Sequence, residues 1–407
     1  MVPDEIDARD HSRKSLEWWS RQRVPVLRVA VGVLGVLALL KLGTEFYRLL
    51  LESAPEGAID LRQRSTEVHL WFAGQPIYGV LPYASYPPAT NVLLWPFVGW
   101  LDFEPARWFW AVTSVAAIGW LIHLVERACA PGPGLERAFV LLLPLSMNAT
   151  GVAIGNGQLT LHVLPALVAA GALLHRARGR WPAELGAAAL IVFAFVKPSL
   201  AIPFFWLVIF VPGTLRPAML ALTGYGALTL LAAAFQPTGV VALLRDWVAA
   251  GVEISASRHT LPWSYASLHS WTASWGLQRW NFVSSLVMLA GLGVWTFLQR
   301  RRDIWILLGV TGVVARLWTY HGTYDDVLIL LPMVALFRIA THGAPASRDG
   351  VAAGVLLAIT TLTMVMPVRL SHWPAPWWGF FTIGHAAVWI AVLIFLVNHA
   401  RRLAPQP

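Results

Sequence analysis

The chain has 407 residues, of which 57% are hydrophobic and 13% charged, with a mean hydropathy of +0.61. A soluble domain is about 45–50% apolar, so the composition points to a polytopic membrane protein with no separate soluble domain. The formal charge of +9 does not indicate nucleic-acid binding, because the basic residues sit in short loops between apolar runs, as cytoplasmic loops of membrane proteins do.

Residues 1–23 are polar and carry Arg9, Arg13, Lys14, Arg21 and Arg23; they are expected in the cytoplasm. The apolar run Val29–Leu40 has the length of a signal-peptide core. No small-x-small cleavage site follows it, so it reads as a retained first helix.

The stretch 57–88 is the most unusual part of the chain. It holds Asp60, Arg62, Arg64, Glu67 and His69 within ten residues. Leu61, Val68, Trp71 and Phe72 recur at helical spacing, which predicts a short amphipathic helix lying on a membrane surface. Arg62 and Arg64 are expected to face the same interfacial zone. The pattern then breaks at Gly74-Gln75-Pro76-Ile77-Tyr78 and at Tyr86-Pro87-Pro88. Asp60 is the best acid/base candidate, since a carboxylate beside a low-dielectric cavity can take a proton from a hydroxyl. An N-cap for the same helix is the structural alternative.

Apolar runs long enough to approach a bilayer span follow along the whole chain. They cover roughly 25–45, 108–126, 137–150, 158–174, 184–196, 199–212, 217–235, 281–299, 303–320, 325–341, 351–366 and 379–399. The fold class expected is therefore all-α, a single integral membrane domain over 1–407 with about twelve transmembrane helices. A cytoplasmic tail covers 1–24, and external loops cover 46–107, with the interfacial helix, and 236–280. With both termini cytoplasmic, Lys and Arg favour the cytoplasmic side by about two to one. A multi-pass protein of the plasma membrane follows.

On that topology every irregular polar stretch falls on the external face. Polar, helix-breaking sequence at membrane depth is tolerated where it lines a protein-enclosed or watery cavity. One outward-opening cavity is therefore expected. Gly155-Asn156-Gly157-Gln158 is a turn whose glycines suit positive φ, while Asn156 and Gln158 could hydrogen-bond a polar ligand. Lys197-Pro198 interrupts an apolar run. A lysine there costs about 2.5–3.5 kcal/mol to insert and needs an anion or an exit to water. A phosphate and simple snorkelling both satisfy it. The 236–280 stretch carries Arg258, a candidate phosphate contact, and His269. Tyr320-His321-Gly322-Thr323-Tyr324-Asp325-Asp326 precedes a span, with His321 and Asp325 one helical turn apart.

The single cysteine, Cys129, excludes an intrachain disulfide and paired-cysteine metal sites. Walker A and GxGxxG motifs are absent. No cofactor is expected, and a divalent metal is left open. A transporter of lipid-linked sugars would show inverted repeats and charges deep in several helices; the sequence shows no repeat. A scaffold without catalysis is the third class.

Taken together, the motifs resemble those of glycosyltransferase family 87. They are an Asp60-Leu61 pair after the first span, Gly74-x-Pro76-x-Tyr78, Tyr86-Pro87-Pro88 leading to Pro96, Asn156-Gly157-Gln158, Lys197-Pro198, Leu268-His269-Ser270-Trp271, and the approach to Leu330-Leu331-Pro332. The chain departs from that pattern where Asp325 and Asp326 replace a histidine pair, and where His269 replaces a glutamine. The resemblance implies a membrane-embedded transferase of the GT-C fold, similar to actinobacterial mannosyltransferases. It implies a polyprenyl-phosphate sugar donor, a lipid or glycan acceptor, the bilayer as partner, and no nucleic acid. Asp60 would be the general base of an inverting transfer. Lys197, Arg258 and His321 would meet the donor phosphate. Arg62, Tyr86, Asn156, Gln158, His269, Tyr320, Asp325 and Asp326 would contact substrate.

Overall fold

The computed structural model describes residues 3–53, 56–176, 179–258, 266–342, 347–366 and 377–403. Among them the architecture is helical throughout. Helix α1 is Pro3–Leu50, and a short helix α2, Ile59–Phe72, follows it. Helix α3, Pro88–Leu94, runs into a π-helical turn at Trp95–Gly99, and α4 is Phe103–Cys129. Next come α5 (Leu135–Ser146), α6 (Asn148–Asn156), α7 (Thr160–Arg176), α8 (Trp181–Ala194), α9 (Pro198–Phe210) and α10 (Leu215–Ala233). The stretch expected as a loop over 236–280 is largely helical instead, with α11 (Val240–Arg258) and α12 (Leu268–Ser274). The chain then forms α13 (Asn281–Gln299), α14 (Ile304–Leu317), a 3₁₀ stretch at Thr323–Ile329, α15 (Leu330–His342), α16 (Arg348–Val365) and α17 (Trp377–Arg402).

Each apolar run read from the sequence falls on a helix or a bent helix pair. Among the described residues, six helical segments are long and apolar enough to cross a bilayer: Val24–Leu50, Phe103–Cys129, Leu215–Ala233, Gln278–Gln299, Arg348–Val365 and Phe381–Arg402. Helices α5 and α6 meet at a 43° bend and make a seventh span if taken together. Helices α7, α8, α9 and α14 are apolar but shorter.

The long helices carry exposed apolar side chains, such as Val29, Val36 and Leu39 on α1 and Phe282, Val287 and Val294 on α13. Helix α14 differs: every residue from Ile304 to Leu317 is buried. A helix apolar on all sides and covered on all sides is a core element. With the inward part of α15, it forms the centre against which the others pack.

Breaks in these helices leave backbone groups that need partners. At the α5–α6 bend, Lys41 of α1 donates to the Ser146 carbonyl at 3.3 Å. Around the α8–α9 break, Thr90 donates to the Val196 carbonyl at 3.0 Å and Tyr225 to the Phe195 carbonyl at 3.2 Å. Lys197 has φ −127°, outside the helical region, and Pro198 then opens α9, where a missing N–H costs nothing.

Helix α2 is clamped at both ends. Its stripe of Leu61, Val68 and Trp71, expected to lie on a membrane surface, is buried against protein. Ala58 is the N-cap residue with φ 51°, and its N–H donates to the Gly155 carbonyl at 3.2 Å. At the other end the Trp71 indole donates to the Ala232 carbonyl at 2.9 Å, and Gln236 donates to the Trp71 carbonyl at 2.7 Å. Gly157 lies directly under the first turn: it has φ +70°, and a Cβ there would stand 2.5 Å from the Leu61 Cβ.

Gly157→Ala therefore combines left-handed strain with a collision against α2. A loss of about 2–4 kcal/mol in stability is expected. Gly119→Ala, in the middle of α4 with open space around it, should be neutral or slightly stabilising. Thermal unfolding of the two variants side by side checks this; equal midpoints would show that the turn does not support α2.

Candidate active site

Three sequence stretches meet at one end of the α14–α15 pair. Their centre is a buried hydrogen-bonded group. Lys197, 4% exposed, directs its ammonium at three oxygens. These are Asp325 Oδ1 at 2.6 Å, Thr160 Oγ1 at 3.0 Å and Gln158 Oε1 at 3.2 Å. The Thr160 hydroxyl donates to the same Asp325 oxygen at 2.6 Å. The other carboxylate oxygen, Asp325 Oδ2, receives His321 Nδ1 at 2.7 Å. Lys197 Nζ also lies 4.7 Å from the centre of the Tyr324 ring.

The local causes are simple. The α6–α7 turn delivers Gln158 and Thr160, the α8–α9 break delivers Lys197, and the link after α14, which passes into the 3₁₀ stretch, delivers His321 and Asp325. Burial alone would raise the Asp325 carboxyl, but the Lys197 charge and the His321 N–H outweigh it and hold it below the usual carboxylate range. Burial lowers His321, which is therefore neutral. Its Nε2 has no hydrogen-bond partner among the described residues. Leaving such an atom unmet in a protein interior costs about 1–3 kcal/mol.

Asp326 points elsewhere. It pairs with Arg316, which is 0% exposed, lies over the Trp389 ring at 5.1 Å and donates to the Ala266 carbonyl at 3.3 Å. Two adjacent carboxylates are thus matched by two cations from different parts of the chain, Lys197 at the α8–α9 break and Arg316 on α14. Asp325 and Asp326, expected as substrate contacts, are committed to internal ion pairs.

Tyr86 connects this group to α2. Its phenol lies within electrostatic range of Arg64, Asp325, Asp60 and Tyr320, and burial pushes its ionisation well above neutral pH. It is a hydroxyl donor at any physiological pH. Arg64 stacks on the Tyr86 ring at 4.2 Å and pairs with buried Glu67. Asp60 sits in the first turn of α2, half-exposed, one helical turn from Arg64 and on the same side. It is not the N-cap, which is Ala58; a carboxylate in a first turn still gains from the helix dipole.

Other expected site residues are placed differently. Arg62 and Arg64 do not share a zone: two residues apart on a helix, they point to opposite sides. The Arg62 guanidinium lies 3.9 Å from the centre of the Phe103 ring. Asn156 accepts from Arg48 at 2.8 Å. His269 is buried and bonds Ser285 Oγ through Nε2 at 2.9 Å, and its ring centre is 6.1 Å from that of half-buried Tyr320. Arg258 ends α11, and its side chain lies outside the described residues.

Sequence reasoning missed Thr160, which carries no signal of its own. It also missed the role of Arg316, for which there was a signal: an arginine inside an apolar run demands a partner.

The family model of glycosyltransferase family 87 matches residues 83–321. That range holds Tyr86, Gln158, Lys197, His269 and His321, while Asp60, Asp325 and Asp326 lie outside it. No curated protein and no solved structure matches the chain. Matched over more than half its length, the chain belongs to glycosyltransferase family 87 and is a membrane glycosyltransferase.

Proposed function

We propose that the protein moves a sugar, a hexose or pentose such as mannose or arabinose, from a polyprenyl-phosphate donor to a hydroxyl of a lipid or glycan acceptor. The observation that carries this reading is convergence. The 155–158 turn joins the first turn of α2 to the Lys197–Asp325–His321 group: Gly155 accepts from Ala58 and Gly157 packs against Leu61, on either side of Asp60, while Gln158 accepts from Lys197.

In the proposed reaction Asp60 takes the proton of the acceptor hydroxyl. The acceptor oxygen bonds to the anomeric carbon from the face opposite the phosphate. The bond from that carbon to the phosphate oxygen breaks, and polyprenyl phosphate leaves with the electron pair. The anomeric configuration inverts. Asp60 suits the role because it is half-exposed and lies on a helix fixed at both ends.

The departing phosphate needs positive charge. Arg258 is proposed to meet it. Lys197 is proposed to act there through its field, because its three N–H groups already serve Gln158, Thr160 and Asp325. The site is proposed to open on the external face of the plasma membrane, with twelve crossings and both termini cytoplasmic. The short helices α7, α8, α9, α14 and α15 would then cross as bent or partial spans around the site.

Reporter fusions after Arg180 and Arg302 should read cytoplasmic, and one after Gly251 external. An external reading at Arg302 would sink the topology.

Asp60→Asn keeps size and hydrogen-bonding shape, so the protein should fold. Its transfer rate from a polyprenyl-phosphate sugar should fall about 10²–10⁴-fold. A folded variant with near-normal rate removes Asp60 from the mechanism.

Lys197→Ala leaves the buried Asp325 charge unmatched, which typically costs about 3–5 kcal/mol. A clear drop in thermal midpoint is expected together with loss of transfer, and Lys197→Arg should recover part of both. An unchanged midpoint with a selectively raised KM for the donor would instead make Lys197 a direct phosphate ligand.

A further inference from the structure

The sequence groups His321 with the phosphate ligands, but its hydrogen bonds give it another role. We infer that His321 is held as a neutral imidazole with its proton on Nδ1, so that Nε2 accepts a hydrogen bond from a hydroxyl of the bound carbohydrate. The inference deepens the glycosyl-transfer reading and rests on it.

The tautomer follows from its neighbours. Asp325 Oδ1 already receives the Lys197 ammonium and the Thr160 hydroxyl. Oδ2, 2.7 Å from His321 Nδ1, belongs to a carboxylate and can only accept, so Nδ1 must carry the hydrogen. The charges around the ring are balanced without His321: Lys197 offsets Asp325, and Arg316 offsets Asp326. The side chains of Gln158, Thr160 and Tyr324 that meet Lys197 add no further carboxylate. A second proton on His321 would leave a buried net positive charge beside Lys197, with no anion beyond the already paired Asp325 to balance it.

The neutral ring then presents a lone pair at Nε2. His321 is 2% exposed, and Nε2 meets no partner among the described residues. Other buried atoms share that state, among them Trp110 Nε1 and Ser114 Oγ, but they lie in helix packing on α4. His321 differs because its other nitrogen is fixed by a carboxylate, which in turn is fixed by a lysine and a threonine. Such a chain orients a ring; Asp325, Lys197 and Thr160 are positioning residues. A lone pair is the wrong partner for phosphate, whose oxygens at neutral pH are also acceptors. It is the right partner for a sugar hydroxyl, which donates. The 155–158 turn links this group to the first turn of α2, where the proposed base stands: Gln158 meets Lys197, and Gly155 and Gly157 meet Ala58 and Leu61.

The test uses two variants and deoxy substrates on the full-length protein. In His321→Asn the side-chain amide stands in for Nδ1–H and still donates to Asp325, but nothing occupies the Nε2 position. His321→Gln reaches the Nε2 position with an amide oxygen. His321→Asn should melt like the wild type and lose about 10–100-fold in kcat/KM, and His321→Gln should regain part of it. The probes are polyprenyl-phosphate mannose, its 2-, 3-, 4- and 6-deoxy analogues, and octyl mannoside with its own deoxy series. One deoxy compound should cost the wild type the same factor and cost His321→Asn nothing further. A deoxy donor behaving so assigns the hydroxyl to the donor sugar; a deoxy acceptor assigns it to the acceptor. Independently, ¹⁵N-histidine spectra of wild type minus His321→Asn should show protonated Nδ1 and bare Nε2 at pH 7. An imidazolium signal, an unchanged kcat/KM in His321→Asn, or losses that multiply for every deoxy compound overturns the inference. Absence of any transfer by the wild type overturns the proposed donor and takes the carbohydrate hydroxyl with it, while the spectra still report the tautomer.

Discussion

The ion pair between Lys197 and Asp325 is the constraint on which the site depends. Each charge alone would be expensive in a helical core surrounded by lipid. Together, with Thr160 and Gln158 on the lysine and His321 on the carboxylate, their hydrogen-bonding capacity is used. The pair ties the α8–α9 break to the link between α14 and α15. It also holds the turn before α7, because Gln158 and Thr160 share the ammonium. Three irregular backbone segments therefore share one charge centre, and none can shift without exposing an unpaired ion. Arg316 and Asp326 repeat the device one residue along, anchoring the same link to buried α14 and to α17 through Trp389.

Helix α2 reaches this centre by steric fit rather than by charge. The α6–α7 turn carries Gln158 toward Lys197 on one side. On the other, Gly155 supplies a carbonyl to Ala58 and Gly157 lets Leu61 come close. One four-residue turn thus sets the distance between the lysine and the first turn of α2, where Asp60 stands. The glycines serve this contact; the polar residues between and after them are structural on one side, with Asn156 held by Arg48, and part of the site on the other.

Much of this was legible in the sequence because apolar runs and their interruptions are strong signals. A charged or helix-breaking residue in such a chain is costly enough to need a reason, and that cost singled out Asp60, Lys197-Pro198, Gln158 and His321–Asp326. What periodicity could not supply was pairing. Nothing in the sequence tells Lys197 that its partner is Asp325 rather than a ligand, because the two are far apart in the chain and meet only through packing. Thr160 looks like any helix-start threonine. The stripe on α2 was read as lipid-facing because amphipathic spacing is the same whether the apolar face meets lipid or protein. Arg62 and Arg64 looked like one cluster because they are close in sequence, yet two helical residues differ by about 200° and face apart.

The same electrostatics separates the carboxylates by role. A general base must gain a proton during the reaction and lose it afterwards. Asp325 is badly placed for that, since Lys197, Thr160 and His321 all stabilise its ionised form and a proton would have to displace one of them. Asp326 is held by Arg316 in the same way. Asp60 is half-exposed in the first turn of a short helix that is fixed at both ends. Asp325 and Asp326 are thus the carboxylates least able to do acid–base work. On the proposed reading that work falls to α2, and the link before α15 is left to hold the carbohydrate in place.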